Sequence, residues 1–231
     1  AAQAKALREK LVDQKFSITS IKTGERRKNP QPPFTTSNLQ QEAVRKLSFT
    51  TKKTMQIAQM LYEGVDIEGE GTVGLISYIR TDSTRLSDEA LTAARDYISA
   101  NFAPEYLPET PNIYKGRKNA QDAHEAIRPT HALFSPEKVK VSLTRDQYRL
   151  YKLIYDRYLA SQMTPAVYDT LAVELGSGEA QFRFGGMKKK FAGFTVLYEE
   201  SQDEPAEKES NLPKVQVGDQ VTMKELDAEQ H

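Results

Sequence analysis

Three prolines fall within four residues, Pro30, Pro32 and Pro33, in the stretch GERRKNPQPPF between residues 24 and 34. Each fixes φ and removes a backbone donor, so neither a helix nor a sheet ladder is expected to continue through this stretch. The residues on its two sides also differ in period. Ahead of it, Phe16, Ile18 and Ser20 alternate with Ser17, Thr19 and Ile21, as in a strand. After it, apolar residues recur at helical spacing to about residue 163. Beyond Pro165 the period returns to two: Leu171, Val173 and Leu175 alternate with Thr170, Ala172 and Glu174, Gly176-Ser177-Gly178 turns the chain, and strands are expected at FTVLY and VQVGDQVTM. The pattern predicts an α+β chain with a first β-rich segment at 1–31, an α-rich domain at 32–164 and a second β-rich segment at 165–231. The two β segments would form one discontinuous domain, and 231 residues leave room for two units of ordinary size.

Residues 3–14 read as a helix leading into the first strand. In the α-rich part, Ser37 is expected to cap a helix carrying Leu39, Ala43, Val44 and Leu47. Thr50 or Thr51 would cap a second, carrying Met55, Ala58, Leu61 and Tyr62 and stopped by Gly64. Two short helices, a tight turn and a following strand have the order of a helix-turn-helix or winged-helix arrangement, an order shared by many helical hairpins that bind nothing. Ser87 caps a third predicted helix, to about Asn101, with Asp88 and Glu89 suiting its positive end. Thr144 and Gln147 fit a capping box opening a fourth, to about Met163. Its stripe of Tyr148, Tyr151, Tyr155 and Tyr158 reads as half-buried packing with wet hydroxyls.

Lys+Arg and Asp+Glu both number 32, so there is no global basic excess, and any nucleic-acid site must be a local patch. Basic clusters stand at Lys22/Arg26/Arg27/Lys28, Lys52/Lys53, Lys115/Arg117/Lys118 and Lys188/Lys189/Lys190, each equally readable as a solvated face. Residues 199–210 (EESQDEPAEKES) hold six acids against one Lys and no large apolar side chain, the composition of a solvated linker. The chain has no Cys, which excludes disulfides and thiolate zinc sites and fits a reducing compartment. No apolar run approaches the ~18 residues of a membrane span, and no signal peptide is visible, so a cytoplasmic chain without membrane partners is expected. It starts AAQAKALREK, without Met and in helix-like composition, as an excised piece would.

The chemistry concentrates in two stretches. In GLISYIRTDSTRLSDEAL, residues 74–91, a strand would put Ile76, Tyr78 and Arg80 on one face, about 7 Å apart, and Leu75, Ser77 and Ile79 on the other. Tyr78 and Arg80 can then address one phosphate. A phenol, with a pKa of about 10, is a weak nucleophile, and a neighbouring cation favours its anion and stabilises charge developing on phosphoryl oxygens. A Tyr-X-Arg pair is also common in strands that carry no chemistry. In QDAHEAIRPT, residues 121–130, a short helical turn would bring His124 and Arg128 onto one face, able to bind phosphate or move a proton to a leaving oxygen; a lone loop histidine is the other reading. The histidines, His124, His131 and His231, have no metal-site spacing, and no HExxH, DxD or Gly-rich phosphate loop occurs.

PPFTTSNLQQEAVRKL (32–47), YIRTDST (78–84) and AHEAIRPT (123–130), in that order, resemble bacterial DNA topoisomerase I of the type IA family. The resemblance runs from end to end of this chain but covers only the middle of the family's protein. It implies an ATP-independent isomerase of toroidal shape that relaxes negatively supercoiled DNA. A tyrosine attacks a phosphodiester of a single-stranded segment, giving a 5′-phosphotyrosyl link and a free 3′-hydroxyl; the other strand passes and the break is resealed. By motif match Tyr78 is the nucleophile, Arg80 the charge on the phosphate, and His124 a contact to the scissile phosphate or to the adjoining catalytic domain. Thr81, Asp82 and Arg128 fall in the nucleic-acid-binding set and, with Glu125, support those groups. The α-rich part becomes a winged-helix-like active-site domain inserted into a β-rich arch, in the bacterial nucleoid. The family's Toprim domain, which binds Mg2+, and its C-terminal DNA-binding repeats have no counterpart here, so no metal is expected on this chain. Its partners would be DNA and those missing domains, and alone it is expected to be inactive.

A non-catalytic winged-helix DNA-binding module is the alternative, but it explains neither YIRTDST nor AHEAIRPT. A tyrosine recombinase should place its nucleophile after its Arg and His motifs, whereas Tyr78 precedes His124. Topoisomerase III and reverse gyrase share the Tyr and Arg motif, and only flanking domains would separate them.

Overall fold

The computed structural model describes residues 9–11, 14–114, 124–178, 180–199 and 212–222. Its elements, in chain order, are β1 (Phe16–Lys28), α1 (Thr36–Leu47), α2 (Thr51–Glu63), β2 (Val65–Ile67), β3 (Gly71–Val73), α3 (Asp88–Asn101), α4 (Arg145–Ser161), β4 (Ala166–Ser177), β5 (Ala180–Phe191) and β6 (Gln220–Val221), with single helical turns between. They divide into two units. One comprises Ala1–Arg27, Val167–Phe191 and Glu204–His231, the other Lys28–Ala166 and Ala192–Asp203.

The β unit is a four-stranded sheet in the order β5-β4-β1-β6. β4 and β5 pair antiparallel from Tyr168↔Lys189 to Ser177↔Ala180, with an irregularity at Val167/Tyr168, and Gly178 (φ 58) takes the left-handed conformation of the tight turn. The alternating residues bury one face: Ile18, Leu171 and Val173 form a small core with Ile21, Leu175, Leu212 and Val215 against it. Two expectations change. β1 does not stop at Ile21 but runs to Lys28, because GERRK contains no proline and the break begins only at Pro30. In VQVGDQVTM only Gln220–Val221 is strand, after a turn at Gly218 (φ 96) whose N–H donates to Ile18 O at 2.8 Å.

FTVLY is not a strand. Gly193–Val196 is a 3-10 turn, with Gly193 at φ 50 and its absent Cβ replaced by Pro165 O, 2.4 Å from where that atom would stand. Phe194 and Tyr198, 2% and 5% exposed, are buried in the helical unit; Tyr198 donates its hydroxyl to Glu42. Residues 192–199 therefore group with the helices instead of continuing a β segment from 165.

In the helical unit, α1 is capped by Thr35, not Ser37: the Thr35 hydroxyl accepts Asn38 N–H. α2 is capped by Thr50 and ends at Gly64 (φ 131), after which β2 and β3 make a two-stranded antiparallel hairpin that the sequence reading does not contain. α3 begins at its Ser87 cap, and α4 at the Thr144/Gln147 capping box. Helix α4 is the centre of the core. Tyr151, Tyr155 and Tyr158 are buried, and their hydroxyls are not wet: they donate to Phe134 O (2.6 Å), Ala132 O (2.5 Å) and Ala90 O (2.5 Å). Burial pushes the Tyr158 phenol up to about 12. Arg157, 1% exposed, donates Nε to Pro32 O at 2.7 Å and lies 5.0 Å from the ring centroids of Phe34 and Tyr198, pinning the proline stretch to α4.

Candidate active site

Three stretches far apart in the chain are joined by main-chain hydrogen bonds. Phe34 bridges Ile127, and Ile76 bridges Pro129. Thr36 N–H donates to Thr81 O (2.9 Å), its hydroxyl lies 2.7 Å from Ile79 O, and Thr81 N–H donates back to that hydroxyl (2.9 Å). Ser77 N–H donates to Arg128 O, and the Ser77 hydroxyl donates to Ala126 O (2.7 Å) while accepting Arg128 N–H (3.0 Å). PPFTTS, YIRTDST and HEAIRPT are therefore one piece of structure.

The Tyr78 segment is not a strand. It is extended backbone with a single bridge at Ile76, and it bends at Ile79–Arg80. Ile76, which bridges Pro129, is 1% exposed, so it does not share an exposed face with Tyr78 and Arg80 as strand alternation predicts. From Tyr78 onward the alternation holds, with Tyr78, Arg80 and Asp82 exposed and Ile79, Thr81 and Ser83 buried. Among the described residues neither the Tyr78 hydroxyl nor the Arg80 guanidinium has a hydrogen-bond or ion-pair partner, so both are open to a ligand.

His124 lies against the Tyr78 ring, with centroids 5.2 Å apart and planes inclined at 38°. The stretch carrying it is not the predicted helical turn. Residues 124–130 are not helical, because their amides and carbonyls pair with Phe34, Leu75, Ser77 and Arg85, and residues 121–123 lie outside the described residues. His124 and Arg128 consequently part company. Arg128 donates Nε to Glu125 Oε2 (2.7 Å) and Nη1 to Pro129 O (2.9 Å), and Ser87 N–H donates to the same Glu125 oxygen (3.2 Å). Burial pushes the Glu125 carboxyl up, but the hydrogen bond and charge of Arg128, with the Ser87 amide, outweigh it and hold the group below its ordinary range.

Of the supporting residues, Thr81 is buried with its hydroxyl accepting Ser83 N–H (3.0 Å), and Asp82 is exposed. Tyr62 was missed as a site residue. Its ring meets Tyr78 edge to face at 5.6 Å, and the signal in the sequence was its place at the last turn of α2, one helix end away from Gly64 and the returning chain. Among the described residues no group of three His, Asp or Glu could hold a metal ion, and no helix is long and apolar enough to cross a membrane. The basic clusters are partly committed: Lys53 pairs with Asp146 (2.6 Å) and Lys190 with Glu25, while the Lys115 cluster lies outside the described residues.

The site thus presents an exposed phenol packed against an imidazole, with an exposed guanidinium two residues further along the chain. The family model for DNA topoisomerase matches residues 1–231. The structure of full-length topoisomerase I from Thermotoga maritima is similar at a TM-score of 0.78 and 37% identity, covering 94% of this chain. The chain belongs to the bacterial DNA topoisomerase I family. It spans 34% of the length of the Thermotoga protein.

Proposed function

We propose that this chain supplies the nucleophile of a type IA topoisomerase acting on a single-stranded segment of negatively supercoiled DNA. Tyr78 Oη attacks phosphorus; the P–Oη bond forms as the bond to the 3′-oxygen breaks, the phenol proton departs, and the 3′-oxygen takes up a proton. The products are a 5′-phosphotyrosyl link and a free 3′-hydroxyl, and attack by that hydroxyl reverses the step without ATP. Arg80 meets the phosphate charge. His124 contacts the same phosphate and moves the proton or meets an adjoining domain. Thr81 and Arg128 hold the backbone that presents these groups, and Asp82 borders the nucleic-acid path. The order helix, helix, hairpin in α1, α2 and β2–β3 suits a winged-helix-like domain, and the discontinuous sheet suits an arch. As the resemblance implies, the metal of the family's chemistry would belong to its Toprim domain.

The observation carrying this reading is that Tyr78 is exposed, its hydroxyl has no hydrogen-bond partner among the described residues, and its ring packs on His124. Mixing the chain with a separate Toprim domain, Mg2+ and a labelled single-stranded oligonucleotide should give a covalent adduct on the Tyr78 peptide, absent from Tyr78→Phe. An adduct that survives Tyr78→Phe defeats the assignment. Alone, the 231 residues should leave supercoiled plasmid unrelaxed; relaxation by the pure chain, abolished in Tyr78→Phe, would show that they suffice.

A further inference from the structure

We infer that Tyr62 is a positioning residue for the nucleophile, setting the direction of the Tyr78 phenol by packing against its ring. The inference rests on the proposed role of Tyr78. A tyrosine at 39% exposure, with no hydrogen bond to its hydroxyl among the described residues, is held in χ1 and χ2 by what its ring packs against. Among the described residues two rings meet that of Tyr78, Tyr62 edge to face at 5.6 Å, inclined at 68°, and His124 at 5.2 Å. The fold brings Tyr62 there by an explicit device. Gly64 ends α2, the β2–β3 hairpin reverses the chain, and Leu75 N–H donates to Leu61 O at 2.7 Å, tying the last turn of α2 to the backbone three residues before Tyr78. Gly74 permits the approach: a Cβ there would stand 2.7 Å from Tyr62 O. The Tyr62 ring is itself 39% exposed, so the pair is a surface feature maintained by the hairpin and not by core packing. In-line attack requires the oxygen to be held in one direction, and an edge-to-face pair supplies that restraint while leaving the hydroxyl uncovered.

The test compares Tyr62→Ala and Tyr62→Phe in the two-component cleavage reaction and in the isolated chain. Tyr62→Ala should slow formation of the Tyr78 adduct roughly 3- to 10-fold, the range expected for losing one aromatic pair, while leaving noncovalent binding of the oligonucleotide unchanged. Tyr62→Phe keeps the ring and should restore the rate. By NMR of the chain carrying labelled tyrosine, the ring resonances of Tyr78 should shift in Tyr62→Ala, by loss of the neighbouring ring current, and stay in place in Tyr62→Phe. Unchanged rate and unchanged Tyr78 resonances in Tyr62→Ala would overturn the inference, as would equal slowing by both variants, which would assign the effect to the hydroxyl. Tyr78→Phe, run beside them, separates this failure from failure of the nucleophile assignment, since that variant must abolish the adduct whatever Tyr62 does.

Discussion

Arg128 Nε and Glu125 Oε2 stand 2.7 Å apart, and the carboxylate oxygen they share also accepts the N–H of Ser87, the cap of α3. One ion pair thus ties the stretch carrying His124 to the start of the helix that follows Tyr78 and Arg80. Both side chains are mostly covered, 16% and 24% exposed, so the pair is screened less than one at the surface.

This linkage gives a stability prediction with a pH signature. The folded-state pKa of Glu125 lies below its unfolded value, so its contribution is fully present above about pH 4.5 and is lost as pH falls through the lowered folded value. Glu125→Gln should cost about 1–2 kcal/mol at pH 7, the difference between a hydrogen bond to a charged acceptor and one to a neutral acceptor. The gap between variant and native chain should close in acid. Urea unfolding at pH 7 and pH 3 measures both; an equal deficit at the two pH values would show that the charge is not what matters.

Thr36 gives a second prediction. Its hydroxyl accepts Thr81 N–H and lies within hydrogen-bonding distance of Ile79 O and Thr81 O, on either side of Arg80. Thr36→Val keeps the shape and the main-chain bond to Thr81 O but takes the hydroxyl partner from the Thr81 amide and the Ile79 carbonyl, which costs about 1–3 kcal/mol. Because the lost bonds flank Arg80, adduct formation should fall more than the loss of folded protein accounts for. Thermal unfolding and cleavage rates measured on the same preparation decide this, and a rate that tracks the folded fraction alone would count against it.

The helices were legible because their information is local. Ser87 with Asp88 and Glu89, the Thr144/Gln147 box, and the Gly64 stop each lie within one turn of what they control. The three stretches that the fold joins also stand in the sequence as short strings. Their geometry was not legible. HEAIRPT is not helical because its partners are Phe34, Leu75, Ser77 and Arg85, far away in the chain, and no period within the string announces them. FTVLY alternates as a strand does, yet Gly193 at φ 50 and the burial of Phe194 and Tyr198 among the helices override the pattern. Tyr62 read as one more apolar helix position because its meeting with Tyr78 depends on a hairpin of two three-residue strands, too short to register as alternation.

Arg80 separates chemistry from stability. It is exposed and without a hydrogen bond or ion pair among the described residues, so Arg80→Ala removes nothing the fold uses, and unfolding should change by less than about 0.5 kcal/mol. In the proposed reaction its guanidinium meets charge that grows on the phosphoryl oxygens, and losing such a donor costs roughly 100- to 1,000-fold in rate. Arg80→Lys should recover only part of this, because an ammonium offers a point charge and not the two-pronged donor that matches phosphate. Binding of single-stranded DNA should weaken modestly, and the slope of log affinity against log salt should fall by about one contact, near 0.7 for a single strand. Adduct formation and salt-dependent binding, measured on the three proteins with Toprim domain and Mg2+ present, test the assignment directly. A variant that loses binding and cleavage in equal proportion would make Arg80 a general contact to the strand and not the group that favours the transition state.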